Sequence, residues 1–241
     1  MVSASVRLPR SAEDLSAGAA IVNDAIVPIA EASIPMLDWG FVRSDVTYDV
    51  VHVWHGSFFR LDDHVARFQK SVAGLHMSLP FDGEGLKDRL LQLVGATGLR
   101  DSYVAMICTR GAPIPGMYRH PKNCKNRFFA FAIPFVWVMP EEMQARGAHI
   151  IVAKTQRIPV ESVDPTIKNY HWGDFTRALF EADEAGADNA ILLNKDGYVT
   201  EGPGSNFFAI INGTVVSPDS GALEGITRPG GQHSQSGDVR N

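Results

Sequence analysis

The sequence predicts an α/β (α+β) protein of two domains, and three observations carry that expectation. The first ~140 residues run from hairpin-like strand pairs through two amphipathic helical stretches into two β-rich runs, an ordinary content for one α/β domain. The second half holds a Pro-containing loop, one helical stretch and a chain of short strands joined by tight turns. With 241 residues and 45% hydrophobic content, the chain can bury one sizeable core or two modest ones.

Residues 19–29 give two short apolar stretches around Asn23-Asp24, and residues 47–54 and 57–60 form a second pair around His55-Gly56, so both read as hairpins. Residues 61–74 place Val65, Phe68 and Val72 at helical spacing behind Asp62 and Asp63, which suit a helix N-terminus. The pattern repeats over 84–97 with Leu86, Leu90, Leu93 and Val94. Runs 103–109 and 127–138 complete a sheet that these helices cover. The first domain is thus expected over 20–140, with a boundary at 139–147.

The second domain, 147–228, opens with a strand at 149–155, and Lys168 follows at the end of a loop that leads into a helix over 172–185, with Phe175, Leu179 and Ala182 on one face. A mostly antiparallel meander is expected next: strands at 190–193, 198–201, 206–211 and 214–217, with Asn212-Gly213 a strong I′ turn signal. The last segment, PGGQHSQSGDVRN at 229–241, is too poor in apolar residues to offset the entropy of ordering and is expected to be a disordered tail. No internal repeat is visible.

A net charge of -5 without a basic stripe argues against nucleic acid as a partner and for a small molecule. Cys108 and Cys124 are too few for a disulfide framework and lack C-x-x-C spacing, which fits a reducing, cytoplasmic compartment. The longest apolar run, 128–139, is too short to span a bilayer and contains Pro134, so no membrane association is expected. The histidines show no HExxH or repeated ligand spacing, no metal site is expected, and His64 is expected on a helix surface. Walker A, GxGxxG and GxSxG sequences are missing.

Three segments stand out together: Asp164-Pro165-Thr166-Ile167-Lys168-Asn169, then Thr200-Glu201-Gly202-Pro203-Gly204-Ser205-Asn206, then Gly221-Ala222-Leu223-Glu224-Gly225-Ile226-Thr227-Arg228. Taken singly, each reads as a surface lysine, a strand-end carboxylate or a turn. In this order and at these separations, and with the upstream run IPMLDWGFVRSDVTYDVVHVWHGSFFRLDDHVARFQKS at 34–71, the chain resembles the fold-type IV (class IV) pyridoxal-phosphate aminotransferases, which include branched-chain, D-amino-acid and (R)-selective amine transaminases. The resemblance covers about residues 20–228, and the run 34–71 is most similar to the (R)-amine branch. It implies a small α/β domain and a larger β-barrel-like domain with the cofactor between them, in at least a homodimer.

Carried over by motif, the resemblance makes Lys168 the catalytic residue and Schiff-base lysine, Glu201 the carboxylate at the pyridine nitrogen and Arg67 the phosphate-binding arginine. Leu223, Ile226 and Thr227 match positions that hold the ring and phosphate. The chemistry is coherent. A lysine amine can both anchor the cofactor aldehyde and move a proton at the substrate carbon. A carboxylate beside the pyridine nitrogen keeps it protonated as an electron sink. Phosphate is met by the Arg67 fork, by the backbone N–H groups of Ile226 and Thr227 at an expected helix N-terminus, and by the Thr227 hydroxyl, while Gly225 allows close approach.

Tyr48 matches a pocket-lining position, though an aromatic on a strand is equally a core residue. Arg43 stands where the amine transaminases commonly carry histidine, and a role on a substrate carboxylate would favour an amino acid over an amine. Trp172 and Phe135 are pocket-wall candidates for which core packing is the default. Family members continue past Gly-Ile-Thr-Arg with a helix, further strands and a second phosphate loop, so the large domain is expected to be incomplete, with the tail looking like an altered frame or truncated gene product. The expected function is amino transfer between an amino acid (branched-chain-like or D-) or an amine and a 2-keto acid. An aminodeoxychorismate-lyase-like enzyme on the same scaffold, or an inactive fragment that binds only cofactor or a partner, are the alternatives.

Overall fold

The computed structural model describes residues 15–228; the leader and the segment 229–241, for which the sequence predicts disorder, lie outside the described residues. The chain divides into two compact units. Unit 1 runs up to Val136 and regains Lys168–Tyr170, and unit 2 contains residues 137–167 and those from His171 onward.

Unit 1 is built on one antiparallel sheet. Strands β1 (Ala19–Val22) and β2 (Ala25–Pro28) form a hairpin whose turn residues Asn23 and Asp24 both have positive φ, 51° and 57°, the I′ geometry that matches strand twist. The same solution joins β3 (Val46–Trp54) to β4 (Ser57–Phe58) through His55 and Gly56. Between the hairpins lies a five-residue helix, α1 (Trp39–Arg43), capped by Asp38 accepting from the Gly40 N–H at 2.8 Å. It is too short to show a periodic pattern, and the sequence reading missed it.

Helices α2 (Leu61–Gly74) and α3 (Gly83–Thr97) form as their spacing predicts, with Asp82 capping α3 and Gly98 closing it in the left-handed region. Strands β5 (Ser102–Pro113) and β6 (Cys124–Pro134) follow, and the sheet order is β2-β1-β6-β5-β3-β4. The first outruns the expected 103–109 at both ends, whereas the second starts before 127 but stops at Pro134, short of the expected 138, and their pairing passes a bulge between Thr109 and Ala112. Gly111 at that bulge has φ +73°, and a Cβ there would collide with the Lys125 carbonyl.

Strand alternation gives this sheet two different faces. On one, Val51, Val53, Val104, Met106 and Ala132 pack against Phe68, Leu86, Leu90 and Leu93 of the helices to form the main core. The other presents Val46, Tyr48, Ile107 and Phe129, with Val22, Val50 and Phe131 partly buried around them.

Unit 2 begins with α4 (Glu141–Arg146), a short helix in the stretch read as a boundary. Strands β7 (Ile150–Val152) and β8 (Asn189–Ile191) pair in parallel around α5 (Gly173–Glu184), where an antiparallel second half is the expectation. The helix explains the difference: it returns the chain to the start of the ladder, so both strands run the same way. Phe175, Ala178, Ala182, Ala190 and Leu192 form the core of this unit.

The remaining strands are shorter than their apolar runs. They are β9 (Glu201–Gly202) with β10 (Ser205–Asn206), and β11 (Ala209–Ile211) with β12 (Thr214–Val216), each pair antiparallel. In the run read as 198–201, the Tyr198 N–H donates to the Asn194 side chain, as does that of Asp196, so the turn competes with the ladder. Among the described residues no helix is long and apolar enough to cross a membrane.

Candidate functional site

Helix α2 carries His64, Arg67 and Ser71 in one row, at the three- and four-residue spacing that stacks side chains on a helix face. Opposite them β3 carries Asp49, fully buried and the strand's one carboxylate. The Arg67 guanidinium grips that carboxylate with two hydrogen bonds, Nε to Oδ2 at 2.7 Å and Nη2 to Oδ1 at 2.8 Å. His64 Nδ1 lies 2.9 Å from the same Oδ1. His64 is therefore buried against the strand and not on the helix surface, because Asp49 offers it a charged partner that solvent-side packing would forgo.

Burial pushes the Asp49 carboxyl upward, but the hydrogen bonds from Arg67 and His64 and their charge outweigh it, and the group is held below its ordinary 3.8. Arg67 is thus a cation oriented by a buried anion, which presets the direction of its fork.

Lys168 precedes α5 (Gly173–Glu184), as the sequence predicts. It sits on the outer edge of β3, where Asn169 forms an antiparallel bridge with Thr47. The Lys168 carbonyl accepts from the Thr47 hydroxyl at 2.6 Å and from the Tyr48 N–H at 3.3 Å, and its N–H donates to Ser71 Oγ at 3.3 Å. The amine reaches over the Tyr48 ring, Nζ 4.6 Å from the centroid, and Tyr170 stacks on Tyr48 at 4.1 Å and 19°.

Tyr48 therefore belongs to the sheet's second face and touches Lys168. Along that face lie Val50, His52 and Tyr103, the last stacked on Phe131 at 6.0 Å. Burial, then the charge of His64, lowers the His52 pKa and favours the neutral ring. Burial raises the Tyr170 hydroxyl, and burial with the nearby Asp49 charge raises Tyr103, so both stay protonated. The lysine amine lies against the Tyr48 ring of this largely apolar face.

In unit 2, Glu201 is buried at the start of β9, held from two sides. Arg157 donates to its Oε1 from Nη2 at 3.1 Å and Nε at 3.2 Å, and the Leu223 N–H donates to Oε2 at 3.1 Å. Arg157 in turn meets Asp174 at 2.6 Å and lies over the Phe175 ring at 4.0 Å. Asn206 Nδ2 donates to the Leu223 carbonyl at 2.7 Å, and a Cβ on Gly225 would overlap the Asn206 amide. A side chain at 225 would therefore have to displace the Asn206 amide from the Leu223 carbonyl.

Ile226 and Thr227 lie in a turn, Ile226 partly buried and Thr227 exposed, with the Arg228 N–H donating to the Gly225 carbonyl at 3.1 Å. The expected helix N-terminus is not among the described residues, which stop at Arg228. Arg43 is exposed, its guanidinium 3.5 Å over the Trp39 ring of α1. Trp172 packs edge-on to Phe175 at 5.4 Å and approaches Gly204, and Phe135 sits in an aromatic group with His52 and Trp54.

Sequence reasoning missed Asp49, Thr47, Ser71, Tyr170, Arg157 and Asp174. Only Asp49 left a signal, as a lone carboxylate inside VTYDVVHVW. Among the described residues no group of three or more His, Cys, Asp or Glu is arranged to hold a metal ion.

Unit 1 thus holds an amine against an aromatic ring and a guanidinium preset by a buried carboxylate, and unit 2 holds a buried carboxylate whose charge a guanidinium and a peptide N–H sustain. Comparison with known proteins gives the family. The amino-transferase class IV family matches residues 47–229. A protein of Methanocaldococcus jannaschii, provisionally named a branched-chain-amino-acid aminotransferase, is 30% identical over 210 residues, covering 86% of this chain and 71% of its own length. A D-alanine aminotransferase of Bacillus licheniformis is 29% identical with the same coverage. Among solved structures, a branched-chain aminotransferase of Thermoproteus uzoniensis with norvaline matches with TM-score 0.77 and 26% identity over 87% of this chain and 71% of that one. Another branched-chain amino acid aminotransferase, solved with pyridoxamine 5'-phosphate, matches with TM-score 0.79 and 31% identity over 88% of this chain and 71% of that one. The chain belongs to the class IV aminotransferases, the pyridoxal-phosphate-dependent enzymes that exchange an amino group between an amino donor and a keto acid.

Proposed function

We propose that Lys168 carries the cofactor and handles the proton, that Arg67 holds the phosphate, and that Glu201 holds the proton on the pyridine nitrogen. The observation that carries this is the placement of Lys168, whose backbone is fastened to β3 and whose amine lies against the Tyr48 ring. Bound pyridoxal phosphate supplies an aldehyde to receive the amino group and a protonated ring to take up the electron pair left when the donor's carbon loses its proton. The Lys168 amine takes that proton and returns one to complete the transfer. Arg67, fixed by Asp49, donates to the phosphate. The Glu201 carboxylate, kept in place by Arg157 and the Leu223 N–H, would accept a hydrogen bond from the pyridinium N–H and so keep the proton on that nitrogen. Leu223, Ile226 and Thr227 border the ring and phosphate.

The donor is an amino acid of branched-chain type or D-configuration, or an amine, and the wall of Tyr48, Val50, Tyr103 and Phe131 supports an apolar side group. Arg43 in unit 1 and Trp172 in unit 2 are further candidates for substrate contact. The working form is a cytoplasmic homodimer without nucleic-acid or membrane partners, supported by an exposed apolar strip at Met36, Leu37, Phe41 and Val42 in unit 1.

The test is to express residues 1–241 with pyridoxal phosphate, reduce with borohydride, digest and locate the pyridoxyl adduct by mass spectrometry. An adduct on the peptide containing Lys168, lost in Lys168→Ala, is the expected result. A folded protein that gives none would return the chain to an inactive fragment. Keto-acid dependence then separates transfer from lyase chemistry, since a lyase releases pyruvate without an acceptor.

A further inference from the structure

We infer that Thr47 and Ser71 are positioning residues that clamp the two peptide groups of Lys168 and so aim its amine; this rests on Lys168 being the residue that carries the cofactor. Thr47 is 0% exposed and Ser71 is 1% exposed. A valine would fill the Thr47 site equally well and suits a strand better than a buried hydroxyl without a purpose. The hydroxyl has one: it donates to the Lys168 carbonyl at 2.6 Å, beside the Tyr48 N–H on the same oxygen. On the other side of the residue, Ser71 of α2 accepts the Lys168 N–H at 3.3 Å.

The segment is fixed at its next residues too, by the Asn169 bridge to Thr47 and the stacking of Tyr170 on Tyr48. Three residues of chain are thereby grafted onto the sheet edge of unit 1, while the residues on either side belong to unit 2. A lysine side chain has four rotatable bonds, so its reactive nitrogen can be aimed only if its backbone is held. A displacement of about 1 Å at a reacting atom is enough to lower a rate ~100-fold.

The experiment follows adduct formation at Lys168 in the full chain, with pyridoxal phosphate as the probe. The Lys168 amine adds to the probe's aldehyde carbon, a water leaves and a C=N bond forms; borohydride then delivers hydride to that carbon, and the nitrogen takes a proton from water. The trapped adduct is quantified against time. Thr47→Val and Ser71→Ala are each expected to slow labelling about 10-fold to 100-fold, whereas Thr47→Ser, which keeps the hydroxyl, labels like the parent chain. Thermal midpoints recorded alongside separate aiming from folding. If Thr47→Val fails to fold, Ser71→Ala decides alone. Labelling of both variants at the parent rate, or a Thr47→Ser rate as low as that of Thr47→Val, overturns the clamp and leaves the role of Lys168 intact. Absence of any Lys168 adduct in the parent chain overturns both.

Discussion

Asp49 is the residue on which unit 1 concentrates its electrostatics, and its removal separates structure from cofactor binding. Asp49→Ala leaves the buried His64 and the Arg67 guanidinium facing each other without an anion, and breaking a buried pair from one side costs about 3–5 kcal/mol. Urea unfolding at neutral pH reads that loss. Because the folded-state carboxyl titrates below its ordinary 3.8, its contribution is complete above that value and disappears as pH falls through the lower folded one. The stability gap between the parent and Asp49→Asn is therefore expected to narrow only in strong acid; a gap independent of pH would contradict the ion pair. Arg67→Ala is expected to weaken pyridoxal phosphate by about 1.5–3 kcal/mol, the worth of a charge-assisted hydrogen bond, and to leave phosphate-free pyridoxal unaffected. Equilibrium dialysis with the two compounds distinguishes them. Glu201→Gln removes the charge that faces Arg157 and is expected to lower keto-acid-dependent turnover about 100-fold, the scale of one lost electrostatic contact, while Lys168 still labels.

At the scale of elements, the hairpins and the two long helices were legible because each depends on local rules. Positive-φ turn residues at 23–24 and 55–56 set the hairpins, and the spacing of Val65, Phe68 and Val72 set the inner side of α2. Phe68 is buried under the sheet, and Phe68→Ala is expected to cost about 3–5 kcal/mol in chemical denaturation. What was not legible depends on distant partners. The direction of β8 is set by β7, some forty residues earlier, across α5. The burial of His64 is set by a carboxylate on β3, and Arg157 acquires its place only when Asp174 and Glu201 close on it. Motif order pointed to Lys168, Arg67 and Glu201, yet Arg157 and Asp174 lie outside any motif, and Thr47 and Ser71, inside the run 34–71, carry no mark of their role. At Ile226 and Thr227, where a helix N-terminus is expected, the described chain forms a turn.

For the whole molecule, the exposed strip of Met36, Leu37, Phe41 and Val42 lies on α1 and the segment before it, all in unit 1. Phe41→Asp is expected to lower the molar mass measured by light scattering from dimer to monomer without altering the fold by circular dichroism, and a monomeric parent chain would remove the proposal. The chain spans 71% of the length of the two relatives described. The path of the backbone has a further consequence. Unit 1 takes its last three residues from a point well past its own end at Val136. During synthesis the edge of β3 and the Tyr48 ring must therefore wait for Tyr170 to leave the ribosome, and Lys168 arrives with the piece that finishes the first unit.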